Sequence, residues 1–250
     1  MDQNKLSAIA HATHRFQSPV SPATLDRALA FAGLAPGARV FDLGCGHAGI
    51  SLHLAETHGA RVEAVERSPV MAAQAAERLK DRGAPGSVAL HVCASTDFLA
   101  TAAPCDLLVG IGGVHLAGEA GPAEMLGALA EHVRPGGALL WGESIWLSEP
   151  GEVLRHLLGP AAGAYLSHAD SVAAGEAAGL TPLYATTSSD QEWDEYAWRY
   201  ATAVEDHVAA HPDDPDGPAL LARVRAWRAL YLHQARGVMG FGLYLFRKPI

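Results

Sequence analysis

The most constraining feature of this sequence is an apolar run that breaks into three closely spaced glycines. Residues 40–43 have the side chains of a buried strand, and Gly44, Gly46 and Gly49 follow directly. Residues 50–55 then show the apolar spacing of a helix. Glycine adopts backbone angles that other residues resist, and it lets a ligand lie against the main chain. Because the first N–H groups of a helix have no partner within it, this stretch predicts a ligand-binding turn.

Two cofactor classes use such a turn, and the residues around it favour one of them. The Gly-x-Gly-x-x-Gly spacing over 44–49 matches the dinucleotide fingerprint, and Glu66 follows at a distance suited to a ribose-binding acid. Asp42 argues against a dinucleotide, because its carboxylate would repel a pyrophosphate. The same carboxylate favours a sulfonium and an ammonium group. An NAD(P)-dependent oxidoreductase remains the alternative at this point.

The Asp42-x-Gly44-x-Gly46 pattern resembles the first motif of the class I S-adenosylmethionine-dependent methyltransferases. The resemblance is strongest over residues 38–147, and it implies that these three residues hold the methionine end of S-adenosylmethionine. Glu66 resembles the second-strand acid of the family, which holds the ribose hydroxyls. S-adenosylhomocysteine would be the product. Further residues that the resemblance places at the cofactor are Cys45, Arg67, Ser68, Ser95, Asp97 and Ile111.

The order of predicted elements favours an α/β fold. Strand-type runs alternate with helical patterns, which predicts a parallel sheet with helices on both faces. The resemblance implies a Rossmann-like, doubly wound sheet of seven strands, with the last strand antiparallel and a helical cap inserted before it. The turn at 134–137 resembles another family signature. Where many members carry an adenine-binding acid after the third strand, this chain has Ala94, so Ser95, Asp97 or the main chain would take that role.

We predict one methyltransferase domain over residues 1–250. Its expected parts are N-terminal lid helices (1–36), a cofactor-binding core (37–187), a helical cap (188–237) and the final strand (238–250). Aromatic residues three and four apart predict one face of a cap helix. Residues that could line a substrate pocket are His14, Phe16, Trp146, Trp193, Tyr196 and Tyr200. In the alternative interpretation, the histidines are solvated and the aromatic residues only pack the cap onto the body.

Two side chains are candidates for catalysis because they follow strands at the edge where ligands bind. His115 follows the fourth strand, and Glu143 ends the fifth. Methyl transfer requires alignment and exclusion of water, and it requires a base only if the acceptor must lose a proton. Alternatively, His115 caps the following loop and Glu143 forms a structural ion pair.

The composition limits the classes of ligand and partner expected for this chain. The net charge of −9 argues against a nucleic-acid substrate. Three distant cysteines do not have the spacing of a zinc or redox site, so we predict no metal. Without an apolar leader or a membrane span, a cytoplasmic enzyme is expected. The chain as a whole is most similar to uncharacterised bacterial methyltransferases of small molecules, which implies a small-molecule acceptor. A non-catalytic protein that binds S-adenosylmethionine is the other alternative, and the sequence does not indicate an oligomeric state.

Overall fold

The computed structural model describes residues 3–80, 86–112 and 121–250. They form one seven-stranded sheet with helices on both faces. The strands are β1 (Arg39–Leu43), β2 (Arg61–Val65), β3 (Ser87–His91), β4 (Cys105–Ile111), β5 (Val133–Trp146), β6 (Thr181–Thr187) and β7 (Met239–Arg247). The helices are α1 (Gln3–Ala10), α2 (Pro22–Ala30), α3 (Gly49–His58), α4 (Pro69–Leu79), α5 (Ser95–Leu99), α6 (Pro122–Glu131), α7 (Glu152–Leu158), α8 (His168–Ala177), α9 (Asp190–Ala210) and α10 (Gly217–Leu230). A 3₁₀ turn (Gly159–Gly163) follows α7, and a π-helical turn (Tyr231–Ala235) follows α10.

The sheet order confirms the predicted architecture. The strands lie in the order β3-β2-β1-β4-β5-β7-β6. The pairs from β3 across to β5 are parallel, whereas β7 runs antiparallel to both β5 and β6. The predicted antiparallel final strand is therefore present, and two long helices, α9 and α10, precede it in the chain. From β1 the sheet extends in one direction through β2 to β3, and from β4 it extends in the opposite direction. The carboxyl ends of β1 and β4 therefore border a crevice.

Alternating side chains divide the core between the two faces of the sheet. Val40 packs in one cluster with apolar residues of α2 and α3, whereas its neighbour Phe41 packs in a second cluster with residues of α6 and α8. Leu107 and Leu108 on β4 divide in the same way. Successive side chains of a strand point to opposite faces, so both faces of these strands are buried.

The fifth strand differs from the sequence-based expectation. A turn is predicted at 134–137 and the end of the strand at Glu143, but β5 already begins at Val133 and ends at Trp146. Cys105 pairs with Val133 and Leu107 pairs with Ala138, so residues 134–137 form an irregular excursion within the strand. Gly136 has φ +73°, which is the left-handed conformation that glycine adopts readily. The excursion is held by backbone bonds to the residue after β7, including Gly136 N–H to the Lys248 carbonyl at 3.0 Å.

The N-terminal segment packs onto the helices that precede β7. Leu6 and Ala10 of α1 are buried against Ala201 and Val204 of α9 and against residues of α10. Glu192 at the start of α9 accepts hydrogen bonds from the Ser21 N–H (2.9 Å) and other groups near α2. No helix in the described ranges has the length and apolar character needed to cross a membrane.

Two glycines inside helices allow a matched test of this packing. A Cβ at Gly175 in α8 would lie 2.1 Å from the Phe246 ring, whereas a Cβ at Gly127 in α6 would meet nothing within 4 Å. We expect Gly175→Ala to lower the free energy of unfolding by about 1–3 kcal/mol, because the core must shift to make room. Gly127→Ala should raise it by about 0.5–1 kcal/mol through helix propensity alone. Urea unfolding of both variants measures the difference, and equal effects would contradict the packing of α8 on β7.

Candidate active site

The turn between β1 and α3 has the backbone conformation that its glycines predict. Gly44 and Gly46 have φ of +69° and +56°, and Ala48 also lies in the left-handed region at +60°. A residue with a Cβ is uncommon there, and its conformation is maintained by the surrounding structure. The Gly44 and Cys45 N–H groups both donate to the Val65 carbonyl, at 2.8 and 3.0 Å. The turn is therefore fixed to the end of β2.

Glu66 joins this turn to the next helix. Its carboxylate is 8% exposed and accepts hydrogen bonds from two backbone groups, Gly46 N–H at 2.9 Å and Ser68 N–H at 2.7 Å. Ser68 is the N-cap of α4, so the carboxylate connects the β1–α3 turn with the β2–α4 turn. Each carboxylate oxygen can accept a second hydrogen bond. Glu66 can therefore receive further donors, such as hydroxyl groups, while it holds the turn.

Asp42 is a second buried carboxylate, 3% exposed, at the end of β1. It accepts from the Ser51 hydroxyl at 2.5 Å and from the Ser51 backbone in the first turns of α3. Burial raises the pKa of the Asp42 carboxyl to about 6, the hydrogen bonds from Ser51 oppose this rise, and the nearby charge of Glu66 adds to it. A cationic group beside Asp42 would favour the ionised form and lower this pKa.

The segment before α2 lies directly on the glycine turn. Gln17 Oε1 accepts from the His47 N–H at 3.0 Å. A Cβ at Gly46 would lie 1.5 Å from Gln17 Oε1, and a Cβ at Gly49 would lie 2.0 Å from the Arg15 carbonyl oxygen. The Arg15 backbone thus leaves no room for a Cβ at Gly49, whereas a Cβ at Gly46 would displace the Gln17 side chain.

His47 is held inside the turn by a neighbouring cation. Its Nδ1 accepts from Arg78 Nη1 at 2.6 Å, and the ring is almost fully buried. Burial, and then the positive charge of Arg78, lower the pKa of the His47 imidazole to about 3. The ring is therefore neutral at physiological pH, which keeps the acceptor Nδ1 available to Arg78.

A small cavity lies at the turn and brings together several of the predicted cofactor residues. Asp42, Gly44, Cys45 and Ile111 border it, together with Gln17, Ser18, His47, Gly49 and Ile50. Its volume of about 30 Å³ accommodates one or two water molecules. A larger ligand at this position requires the Gln17 side chain to move.

The other predicted cofactor residues lie outside this cavity. Ser95 is half-buried at the start of α5, whereas Arg67 and Asp97 are exposed. Cys45, which does border the cavity, is buried, and burial raises the pKa of its thiol, so it remains protonated. Roles for these residues toward a cofactor stay predictions.

Of the two predicted catalytic residues, His115 lies outside the described residues. Glu143 is buried near the end of β5, and its Oε1 accepts from the Ser144 N–H at 2.9 Å. Burial and then the charge of Glu143 raise the pKa of the Tyr165 hydroxyl. Tyr165 also packs edge-on against Trp146, with ring centroids 5.5 Å apart. The structure therefore groups Glu143 with Trp146 and with Tyr165, which the sequence analysis did not identify.

A second cavity lies between the N-terminal segment and α9. It has a volume of about 310 Å³. Three of the predicted pocket residues, His14, Phe16 and Tyr196, line it, and Ser18 borders both this cavity and the one at the glycine turn. His14 Nε2 lies 3.0 Å from the Tyr196 carbonyl oxygen, and burial lowers the pKa of the His14 imidazole. The Ser18 hydroxyl is buried without a hydrogen-bond partner among the described residues.

The flanking aromatic residues of α9 pack against other side chains. The Trp193 ring stacks on Tyr231 with centroids 6.1 Å apart, and Tyr200 meets His11 edge-on at 5.2 Å. Neither lines the second cavity. Trp193 and Tyr200 therefore pack α9 against neighbouring segments. Tyr196, which lies between them on α9, lines the cavity. Contact of these three residues with a substrate remains a prediction.

Sequence reasoning missed Gln17, Ser18 and Ser51. Ser51 carries a weak local signal, because a hydroxyl in the first turns of a helix can bond an acid at the end of the preceding strand. Gln17 and Ser18 carry no local signal, since they reach the turn only after the N-terminal segment has folded across it.

The comparisons with known proteins agree with this geometry. Residues 40–137 match a family model described as a methyltransferase domain. An uncharacterised protein of Escherichia coli, YjhP, is 26% identical over 249 residues, which cover 98% of each chain. The crystal structure of YjhP aligns with a TM-score of 0.84 over 97% of this chain and 98% of that one, at 25% identity.

Two further solved structures share the fold. A methyltransferase from Geobacter sulfurreducens, in complex with S-adenosyl-L-homocysteine, aligns with a TM-score of 0.86 at 23% identity and 97% coverage of both chains. One from Thiobacillus denitrificans, with the same ligand, aligns with a TM-score of 0.87 at 23% identity, over 98% of this chain and 99% of that one. Residues 40–137 therefore form a methyltransferase domain, and the sheet order and the glycine turn are consistent with the class I S-adenosylmethionine-dependent methyltransferases.

Proposed function

We propose that the chain is an enzyme that transfers a methyl group from S-adenosylmethionine to a small-molecule acceptor. The observation that carries this proposal is the pair of buried carboxylates at the glycine turn. Asp42 and Glu66 are both less than a tenth exposed, and both lie beside the turn that the family uses for its cofactor. Two negative charges there oppose a pyrophosphate and favour a ligand with an ammonium and a sulfonium group.

The proposed cofactor residues form groups that correspond to the different parts of S-adenosylmethionine. Asp42, Gly44, Cys45 and Gly46 would hold the methionine end, and Asp42 would face its ammonium group. Glu66 would accept from the ribose hydroxyls, because its two oxygens retain acceptor capacity beyond the bonds to the turn. The weaker candidates for the adenine end are Arg67, Ser68, Ser95, Asp97 and Ile111. The bound cofactor supplies an already activated methyl group, so the protein's contribution is alignment and exclusion of water.

The acceptor would occupy the second cavity. Its 310 Å³ lies within the range of small-molecule pockets, and Ser18 borders both this cavity and the turn. Glu192 lines it but is already engaged: burial raises the pKa of its carboxyl, and hydrogen bonds from Ser21 and Thr24 outweigh burial and lower that pKa to about 2. His14, Phe16 and Tyr196 would therefore contact the acceptor. Glu143 and His115 are the proposed bases.

Titration with S-adenosylhomocysteine tests the cofactor assignment. Wild-type protein should bind it in a calorimeter, and Glu66→Gln should weaken binding by about 10- to 100-fold, because charge-assisted hydrogen bonds to the ribose are lost. Glu176→Gln, an exposed site on α8, is the matched control and should bind like wild type. Thermal unfolding checks that each variant is folded. Nicotinamide cofactor binding without any response to S-adenosylhomocysteine would overturn the proposal in favour of an oxidoreductase.

The pKa of Asp42 predicts a pH dependence of this binding. With a native pKa of about 6, above the unfolded value of 3.8, Asp42 contributes stability in its neutral form below pH 4, and this contribution is lost as the pH rises through 6. A ligand ammonium requires the ionised form. The affinity for S-adenosylhomocysteine should therefore rise about tenfold between pH 5 and pH 7. In Asp42→Asn, which can still accept from Ser51, affinity should be weaker and nearly flat over this range.

Turnover separates an enzyme from a protein that only binds the cofactor. The protein is incubated with methyl-labelled S-adenosylmethionine and either the low-molecular-mass or the macromolecular fraction of a cell extract. Label should enter compounds of the first fraction, and Glu143→Gln or His115→Ala should reduce the rate by about 10²-fold or more if either residue is the base. Labelling confined to macromolecules would exclude a small-molecule acceptor, and no labelling of either fraction would favour a binding protein.

A further inference from the structure

Three side chains with metal-binding chemistry converge beside α3, away from the carboxylates of the glycine turn. Asp26 lies in α2, and His53 and His58 lie in the middle and at the end of α3. His53 Nε2 is 2.7 Å from Asp26 Oδ1, and His58 Nε2 is 3.1 Å from the same oxygen. Ligand atoms of all three residues lie within 4.8 Å of one another. Within the described part of the chain, this is the one such group of three.

The donor set suits a borderline divalent ion. Zn²⁺ binds imidazole nitrogens and carboxylate oxygens at about 2.0–2.2 Å, so neighbouring ligand atoms of a tetrahedral site are about 3.3 Å apart. The observed separations from Asp26 are a few tenths of an ångström shorter, as expected for hydrogen bonds between the same atoms. Asp26 is 39% exposed whereas His53 is 4% exposed. An ion can therefore enter from the side of Asp26, and water can complete its coordination.

We propose that Asp26, His53 and His58 form a zinc site that joins α2 to α3. The spacing of the cysteines predicted no metal, but these three ligands include no cysteine. These ligands are separated by 27 and 5 residues along the chain, and only the packing of α2 on α3 brings them together. The site does not depend on the proposed function, since none of its ligands belongs to the glycine turn or to either cavity.

Arg15 competes with an ion for His53. Its Nη2 lies 3.2 Å from His53 Nδ1. Because a guanidinium only donates, Nδ1 must accept, and the ring proton is on Nε2, pointing at Asp26. A metal on Nε2 requires the opposite tautomer, with the ring proton moved to Nδ1 and no net proton released. That proton would then face the donor group of Arg15. Thr57 Oγ1, 3.5 Å from Nδ1, is the acceptor available to it in the metal-bound form.

The competition links the ion to the glycine turn. The Arg15 carbonyl oxygen lies against Gly49, and Gln17, two residues further on, binds the His47 N–H. Zinc would release the Arg15 side chain from α3 and so remove one anchor of the segment that covers the turn. Occupation of the site would loosen residues 13–18 without any contact between the ion and the turn.

Calorimetric titration of the full chain with ZnCl₂, after treatment with chelator and its removal, tests the site. Wild type should bind one equivalent, and His58→Gln should bind at least about tenfold more weakly. The side-chain amide of His58→Gln can still donate to Asp26, so thermal unfolding of this variant without metal should match wild type. His233→Gln, an exposed histidine after α10, is the control and should bind like wild type. Equal affinities of wild type and His58→Gln, or no stoichiometric binding by wild type, would overturn the proposal.

Two further measurements test the competition with Arg15. Arg15→Ala should bind zinc more tightly than wild type, by about threefold or more, because a cationic competitor is removed. Saturating zinc should also speed hydrogen exchange in residues 13–18 of wild type but not of Asp26→Asn. Weaker zinc binding by Arg15→Ala, or unchanged exchange in saturated wild type, would show that Arg15 does not oppose the ion.

Discussion

The Glu66 carboxylate is the interaction on which the cofactor half of this structure depends. It receives the N–H groups of Gly46 and Ser68, one from each of two neighbouring turns at the carboxyl edge of the sheet. Without it, two backbone donors would lose their acceptor, and the loss at the buried Gly46 N–H alone costs about 1–3 kcal/mol. The residue proposed to bind the ribose is therefore also the one that shapes the turn. Ligand binding and the conformation of the turn are therefore coupled through one side chain.

Asp42 places a second negative charge in the same region, and the fold opposes that charge. Burial and the proximity of Glu66 both raise the pKa of Asp42, and only Ser51 compensates. A protein that needed Asp42 merely to begin α3 could use a neutral cap there at lower cost. Retaining a carboxylate whose ionised form is disfavoured makes physical sense if a cation completes the site. This is the strongest argument for a ligand with an ammonium group over a pyrophosphate.

The sequence predicted the sheet and the turn well because their determinants are local. Asp42, the glycines and Glu66 lie within 25 residues of one another, and strand β1 with helix α3 fixes their relative positions. The contacts of Gln17 and Arg15 could not be predicted in this way. They depend on how a segment without a motif folds back over the turn, and the same holds for the approach of Asp26 to α3. At 134–137 the predicted turn is present, but it does not precede the strand. Backbone pairing with Lys248 keeps these residues within β5.

The cavity proposed for the acceptor is lined by the N-terminal segment and α9, and the same segment also reaches the glycine turn through Gln17 and Ser18. Trp193, Tyr196 and Tyr200 lie on one face of α9, as their spacing predicted, yet only Tyr196 reaches the cavity. Tyr231 and His11 occupy the positions beside Trp193 and Tyr200. The size of the cavity is therefore set by residues 13–22 as much as by α9. Relatives with the same sheet but different residues at these contacts would present a different pocket, so the choice of acceptor depends on these side chains rather than on the sheet.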